Sequence, residues 1–317
     1  MEKVYDVLHV GIICADMPLK VPCETIDFSV DSVKLDDVAI LPGGDATNAS
    51  IVMSRLGKRV ALAAKTGDDP FGHIITDIVR RSGVDMRYMK ADAGSRTSIS
   101  VVLINARGER TFLFLPESIQ SFSLEDIDIE AIQKARHVNL GSLFAHPKLD
   151  RGGAEELFKL AKGFGATTSA DVTHDSHGTG FSGIKGLLKY VDYFMPSYIE
   201  GKYLSGETDP SRMADFFIRE TGDKTVVIKM GEEGCFIKSR GKCIRVRPYT
   251  VKAIDTTGAG DNFVAGWLTG LANGWELEQC GEFANAVAGY SVQFLGATTG
   301  SMNMENILEF MQKTPRK

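Results

Sequence analysis

Asp255-Thr256-Thr257-Gly258-Ala259-Gly260-Asp261-Asn262-Phe263 follows a β-like run and opens a helix. Phe263, Val264, Trp267, Leu268 and Leu271 recur at the spacing that gathers them on one face of that helix. Strand, glycine turn and helix form the unit from which α/β chains are built. Small residues at 258–260 let backbone amides approach a ligand at the helix N-terminus. Free N–H groups and the positive end of the helix dipole favour an anion there, a phosphate above all. Asp261 follows at once, where its carboxylate can reach a group attacking phosphorus. A plainer reading makes Asp261 a helix cap and the glycines a tight turn.

Outward from this segment, apolar runs alternate with helical patterns. Strands are expected at 7–13, 59–65, 137–143, 166–172, 193–195 and 225–229, and helices at 47–56, 72–81, 153–163, 183–190 and 211–221. The alternation predicts an α/β fold: a doubly wound, mostly parallel sheet covered by helices, in one domain over residues 1–317. Residues 23–40 and 97–115 break the pattern with strand-like content and no helix between. The second region carries Ile99–Ile104, an Asn105-Ala106-Arg107-Gly108 turn and Thr111-Phe112-Leu113-Phe114-Leu115, a hairpin leaving the main sheet. Strands that project must cover an apolar face, so a lid over a site or a subunit contact is expected.

Composition removes other classes. Thirty-six basic against forty-one acidic residues give a net charge of −5, and no basic block marks a nucleic-acid partner. No apolar run approaches the roughly 18 residues of a membrane span. The N-terminus enters a strand-like segment without signal-peptide features, so a cytoplasmic protein is expected. Cys14, Cys23, Cys235, Cys243 and Cys280 are scattered, which speaks against a disulfide framework or zinc site. His174 and His177 share a polar loop that is not read as a metal site. Gly178-Thr179-Gly180-Phe181-Ser182-Gly183 has dinucleotide-motif spacing but does not directly follow a strand. Gly67-Asp68-Asp69-Pro70-Phe71-Gly72-His73 has Walker spacing with histidine in place of the lysine.

Pro42-Gly43-Gly44-Asp45-Ala46-Thr47-Asn48 precedes the first long helix. Paired glycines permit close approach of backbone to a small hydrophilic ligand, and Asn48 offers both donor and acceptor. Asp16, just past the first strand, is expected at the same carboxyl edge of the sheet, where α/β proteins bind ligands. Asp16, Gly43, Gly44 and Asn48 facing a phosphate nest make a two-substrate site.

With these segments in place, the sequence resembles the ribokinase-like (PfkB) family of carbohydrate kinases over nearly its whole length. Gly43-Gly44-x-x-x-Asn48 is similar to the family's N-terminal signature and Asp255–Asp261 to its C-terminal one; Gly67–Gly72 and Gly108-Glu109-Arg110-Thr111 resemble recurrent segments. The resemblance implies a three-layer domain with a small β-stranded lid, dimerisation through paired lids, and MgATP-dependent phosphorylation of a hydroxyl on a sugar or sugar acid. It makes Asp261 the base and the amides of Gly258, Ala259 and Gly260 the anion hole. Asp16, Gly43, Gly44 and Asn48 then hold the acceptor. Ser197, Glu200, Lys229, Gly231, Gly234 and Asn285 fall at nucleotide-side positions, Glu200 acting on Mg²⁺ through water. Asp255 and Thr257, with carbonyls near 296–300, sit where many members bind a monovalent cation such as K⁺.

Departures from the pattern bear on the acceptor. The asparagine of the family's N-x-x-E segment is Ser197, the ribokinase lysine after the glycine pair is Asp45, and the ribokinase glutamate on the middle strand is Gly141. Asp171-Val172-Thr173-His174 replaces an Asp-x-Asn segment common in fructokinase-like members. These changes argue against ribose. A nucleoside kinase, with Phe112 or Phe114 stacking on a base, and a catalytically weak sugar-binding regulator are the alternatives.

Overall fold

The computed structural model describes residues 2–107, 109–300 and 302–317; Met1, Ser301 and Gly108, the last in the expected hairpin turn and the Gly-Glu-Arg-Thr segment, lie outside them. The chain begins with β1 (Tyr5–Val10), then leaves the main sheet through β2 (Cys14–Lys20), β3 (Asp37–Val38) and β4 (Leu41–Gly43) before α1 (Asp45–Arg55). Next come β5 (Val60–Ala63), β6 (Lys65–Gly67), α2 (Pro70–Arg81), β7 (Lys90–Asp92), β8 (Ile99–Ile104) and β9 (Arg110–Leu115). Short helices α3 (Glu117–Ser121) and α4 (Ile129–Lys134) lead to β10 (Ala135–Leu143), α5 (Ala154–Gly163), β11 (Thr167–Val172) and α6 (Gly180–Leu188). Then follow β12 (Tyr193–Phe194), α7 (Tyr198–Ser205), α8 (Pro210–Thr221) and β13 (Thr225–Lys229). A hairpin of β14 (Cys235–Ser239) and β15 (Lys242–Val246) precedes α9 (Ala259–Ala272), α10 (Leu277–Ser291) and α11 (Met304–Lys313).

Eight strands form the main sheet in the order β15-β14-β13-β12-β11-β10-β1-β5. Pairing is parallel from β5 to β13 and antiparallel across β13, β14 and β15. A strand covered on both faces reads as a continuous apolar run, and Thr225-Val226-Val227-Ile228 does so. Its alternate side chains enter opposite cores: Val226 and Ile228 pack with Phe158, Leu187 and Phe217, whereas Val227 packs with Trp267 and Phe283. Helices α5, α6 and α8 supply the first layer, and α1, α9 and α10 the second. The result is the expected three-layer α/β domain.

Local chemistry fixes the helix starts. Asp69 caps α2 by accepting from the Gly72 amide at 2.9 Å, with Pro70 at the first position, and Asp209 with Pro210 does the same for α8. Asp69 Oδ2 also accepts from the Thr97 amide at 2.7 Å. The Gly67–Gly72 segment therefore ties a helix start to the base of the hairpin.

A second sheet, in the order β3-β2-β8-β9 with β4 also on β2, projects as the lid. The hairpin at 97–115 forms as expected, as β8 and β9. The strand content expected at 23–40 shrinks to β3. Between 23 and 36 the backbone turns and bends, since Asp and Ser side chains bond their own neighbours, as in Ser29 N–H donating to Asp27 at 2.8 Å. The lid's central strand is instead β2, whose sequence carries Pro18 and so lacks a plain strand pattern. Phe112, Leu113 and Phe114 on β9, and Phe28 in the turns before β3, are each more than half exposed.

Candidate active site

The parallel strands point their carboxyl ends at one edge, and the chemistry collects there. Gly11 and Ile12 follow β1, Gly141 and Ser142 lie near the end of β10, Asp171 near that of β11, Ser197 beyond β12 and Lys229 at the end of β13. Against this edge stands the N-terminus of α9. Gly258 takes φ 71°, a left-handed conformation that starts the helix, and a Cβ there would lie 2.5 Å from that of Ala297. Asn262 locks the turn by donating to the carbonyls of Gly258 at 2.8 Å and Ala297 at 2.9 Å. The Ala259 amide donates to the Thr256 carbonyl at 3.2 Å, while the amides of Gly258 and Gly260 face a dipole end that favours anions.

Asp261 meets the N-terminal segment directly. Asn48 Nδ2 donates to Asp261 Oδ2 at 2.8 Å, across 213 positions of sequence. Burial raises the Asp261 carboxyl above the usual carboxylate range, while Asn48 and the Lys229 charge partly offset the rise. Asp16 lies beside Gly43, where a Cβ would come within 2.2 Å of Asp16 Oδ2, so only glycine admits the carboxylate there. Burial, then the negative charge of Asp261, pushes Asp16 up to about 6. Gly44, at φ 100°, has Ile12 O 2.4 Å from the place of a Cβ. Asp16, Gly43, Gly44 and Asn48 thus converge with Asp261.

A cavity of about 550 Å³ adjoins this group. Ser197, Glu200, Lys229, Gly231, Gly234 and Asn285 all line it, together with Ala259, Gly260 and Asp261. Lys229 pairs with Asp171, and a Cβ on Gly260 would lie 3.6 Å from its Nζ. Burial alone would lower the Lys229 pKa, but Asp171 and Glu200 outweigh it and hold the ammonium charged. Tyr249, Val251, Ala288 and Val292 give the cavity apolar wall. Asn285 donates to the carbonyls of Val246 and Arg247 at 3.3 and 3.2 Å, so it shapes the wall with its amide already engaged.

Some expected residues hold additional partners. Ser197 and Glu200 form a capping box for α7: the Ser197 amide donates to Glu200 at 2.7 Å and the Glu200 amide to the Ser197 hydroxyl at 3.3 Å. The S-x-x-E spacing was visible in the sequence. Asp255 and Thr257, expected at a monovalent cation, instead receive the lid arginine: Arg110 donates to Asp255 Oδ1 at 2.7 Å and Thr257 Oγ1 at 2.8 Å. Burial would raise Asp255, but Thr257, the Gly296 amide and Arg110 hold it at about 2. His174 and His177 are exposed and border separate clefts, and no cluster of three metal-ligating side chains occurs among the described residues. Phe112 and Phe114 are absent from the cavity lining.

Three residues were undervalued from sequence. Asp171 and Asp45 figured only as departures from a pattern, yet both line the cavity. Arg110 figured only within a recurrent segment, and spacing carries no signal that it reaches Asp255 from 145 positions away.

Comparison with known proteins identifies the family and the fold. Residues 6–304 match the model of the pfkB family carbohydrate kinases. Fructokinase-1 of Oryza sativa is 28% identical over 285 residues, which span 86% of this chain and 88% of that protein. An uncharacterised sugar kinase of Archaeoglobus fulgidus is 30% identical over 248 residues, spanning 78% and 97% respectively. Arabidopsis thaliana ribokinase complexed with ribose and ATP superposes with a TM-score of 0.82 at 23% identity, covering 98% of this chain and 99% of that one. Ribokinase of Thermotoga maritima gives 0.82 at 22% identity, with 98% and 100% covered. At such identities the structural likeness speaks for the fold, and the family match for the chemistry. The chain belongs to the PfkB family of carbohydrate kinases and is a sugar kinase on the ribokinase fold.

Proposed function

We propose that this kinase transfers the γ-phosphoryl group of MgATP to a hydroxyl of a small sugar-like acceptor, with Asp261 as the base. The observation that carries the reading is the Asn48–Asp261 hydrogen bond, which joins the acceptor segment to the base beside the anion-binding turn. Asp16, Gly43, Gly44 and Asn48 hold the acceptor. Its hydroxyl gives a proton to Asp261 while its oxygen forms a bond to the γ-phosphorus and the bond to the β-phosphate oxygen breaks, releasing ADP. The raised Asp261 pKa suits a base, and the amides of Gly258, Ala259 and Gly260 meet the negative charge that spreads over the transferring group.

The residues fit the nucleotide and its metal. Lys229, Gly231, Gly234 and the apolar wall around Asn285 suit ATP, with Ser197 and Glu200 beside the phosphates. A single carboxylate such as Glu200, acting through water alongside phosphate oxygens, matches how Mg²⁺ is usually held. Bound Mg²⁺ would neutralise phosphate charge. A potassium ion on the side chains of Asp255 and Thr257 does not fit while Arg110 occupies both, and no step is routed through one.

Phe112 and Phe114, exposed together on one face of β9, support a homodimer formed by paired lids. Five free cysteines, and the absence among described residues of a helix long and apolar enough to cross a membrane, support a cytoplasmic setting. Coupled ADP release across hexoses, pentoses, sugar acids, sugar phosphates and nucleosides tests the reaction. Acceptor-stimulated ADP release that Asp261→Asn abolishes is expected. ADP release indifferent to every acceptor would overturn the reading.

A further inference from the structure

We propose that Asp45 is an acceptor-specificity residue whose free carboxylate oxygen takes a hydroxyl of a neutral polyhydroxy substrate, and that the site favours such acceptors over the corresponding sugar acids. The inference rests on the kinase reading and narrows its substrate class.

Space is the first ground. The Asp45 carboxylate lies in a niche that two glycines leave open. A Cβ on Gly141 would fall 1.5 Å from Asp45 Oδ2, and one on Gly11 3.2 Å from it. Position 141 can carry no side chain while Asp45 holds this rotamer. The substitutions at 45 and 141 therefore act as one change, in which the carboxylate reaches the cavity from α1 rather than from β10. The turn beyond Gly141 is shaped to match: Ser142, which also lines the cavity, takes φ 47°, a conformation uncommon outside glycine.

Unmet hydrogen-bonding capacity is the second ground. Asp45 Oδ1 accepts from the Ile12 amide at 3.1 Å, whereas Oδ2 is buried without a well-formed hydrogen bond, although the Ser142 hydroxyl lies close enough to the carboxylate to lower its pKa. Asn48, only 4% exposed, donates its Nδ2 to Asp261 and leaves Oδ1 likewise buried and unpartnered. With Asp45 ionised, both orphan atoms are acceptors, and buried acceptors are costly unless a donor meets them. Hydroxyl groups supply that donor. An acid group on the substrate is ionised near neutral pH and supplies only more acceptors.

Charge is the third ground. Asp16, Asp45 and Asp261 are the carboxyl groups around the acceptor position, with the buried Cys14 thiol against Asp16, its pKa raised first by burial and then by Asp16. The nearby cations are already committed: Arg110 to Asp255, Lys229 to Asp171, and Lys317 on the cavity wall to Glu232. An anionic acceptor would meet like charge without a free partner, which selects against it.

The test compares neutral sugars with their matched aldonic and uronic acids on the wild-type enzyme, by coupled ADP release, and repeats the best pair on Asp45→Asn. Wild type should prefer the neutral member by more than about tenfold in kcat/KM. Asp45→Asn should raise KM for it by about tenfold or more, as loss of a charge-assisted hydrogen bond does, with kcat nearly kept. The variant should also narrow the discrimination against the acid. Preference for an acid, or an unchanged KM in Asp45→Asn, would overturn the inference and leave the kinase reading standing. ADP release with no acceptor at all would overturn the kinase reading itself. The wild-type comparison needs no variant to fold.

Discussion

Asp45→Asn should make the folded protein more stable as well as a poorer enzyme, and only above mildly acidic pH. Burial first, and then the charge of Asp261, pushes the Asp45 carboxyl from 3.8 up to about 7. A folded pKa above the unfolded one means that the native state pays for keeping this group ionised. The penalty is fully present above about pH 7, shrinks as pH falls, and is gone below about pH 4, where both states are protonated. Moving from 3.8 to about 7 corresponds to about 4 kcal/mol, at roughly 1.4 kcal/mol per tenfold change in proton affinity. Asparagine retains the bond to the Ile12 amide but still buries a polar group, and the cavity gives Asp45 some solvent. A net gain of about 2 kcal/mol remains, or roughly 4 °C in Tm for a chain of this size. Thermal unfolding of both proteins from about pH 4 to pH 8, without substrates, reads the difference directly. The curves should separate with rising pH and merge at the acidic end. A variant less stable than wild type at pH 8, or a gap that does not change with pH, would falsify the placement of this carboxylate.

Other outcomes follow from the site. Asp261→Asn should fold and bind ATP while turnover falls by roughly 10²–10⁴-fold, measured with the best acceptor; near wild-type turnover would remove Asp261 as the base. In the wild type, kcat should fall as pH drops through the raised Asp261 pKa, because protonation removes the base, and a flat acidic limb would contradict this. Gly43→Ala places a methyl 2.2 Å from Asp16 Oδ2 and should raise acceptor KM more than ATP KM in steady-state kinetics. Rates should be the same in potassium and sodium, with Arg110→Ala slowing turnover; a strong potassium requirement in the wild type would argue against Arg110 as the resident cation at that loop. Phe114→Glu on the lid should shift the protein to monomer in analytical ultracentrifugation if paired lids hold the dimer.

Periodicity carried most of the architecture. Runs such as Thr225-Val226-Val227-Ile228 are apolar on both faces because both faces are covered, so strand type and fold class could be read locally. The glycine turn before Asp261 was equally legible, because a left-handed residue ahead of a helix requires glycine whatever surrounds it. Strand β2 carries Pro18 and so lacks a plain strand pattern, and residues 23–36 looked more strand-like than they are because their Asp and Ser side chains compete for the backbone. The partnerships that decide specificity left no local trace. Arg110 finds Asp255, Lys229 finds Asp171 and Asp45 fills the room over Gly141 only when distant segments meet at the carboxyl edge of the sheet. Sequence spacing determined which groups were present and which backbone shapes they could take. Tertiary packing alone decided which carboxylate was paired and which kept a free oxygen for a substrate, because burial and charge act through space rather than along the chain.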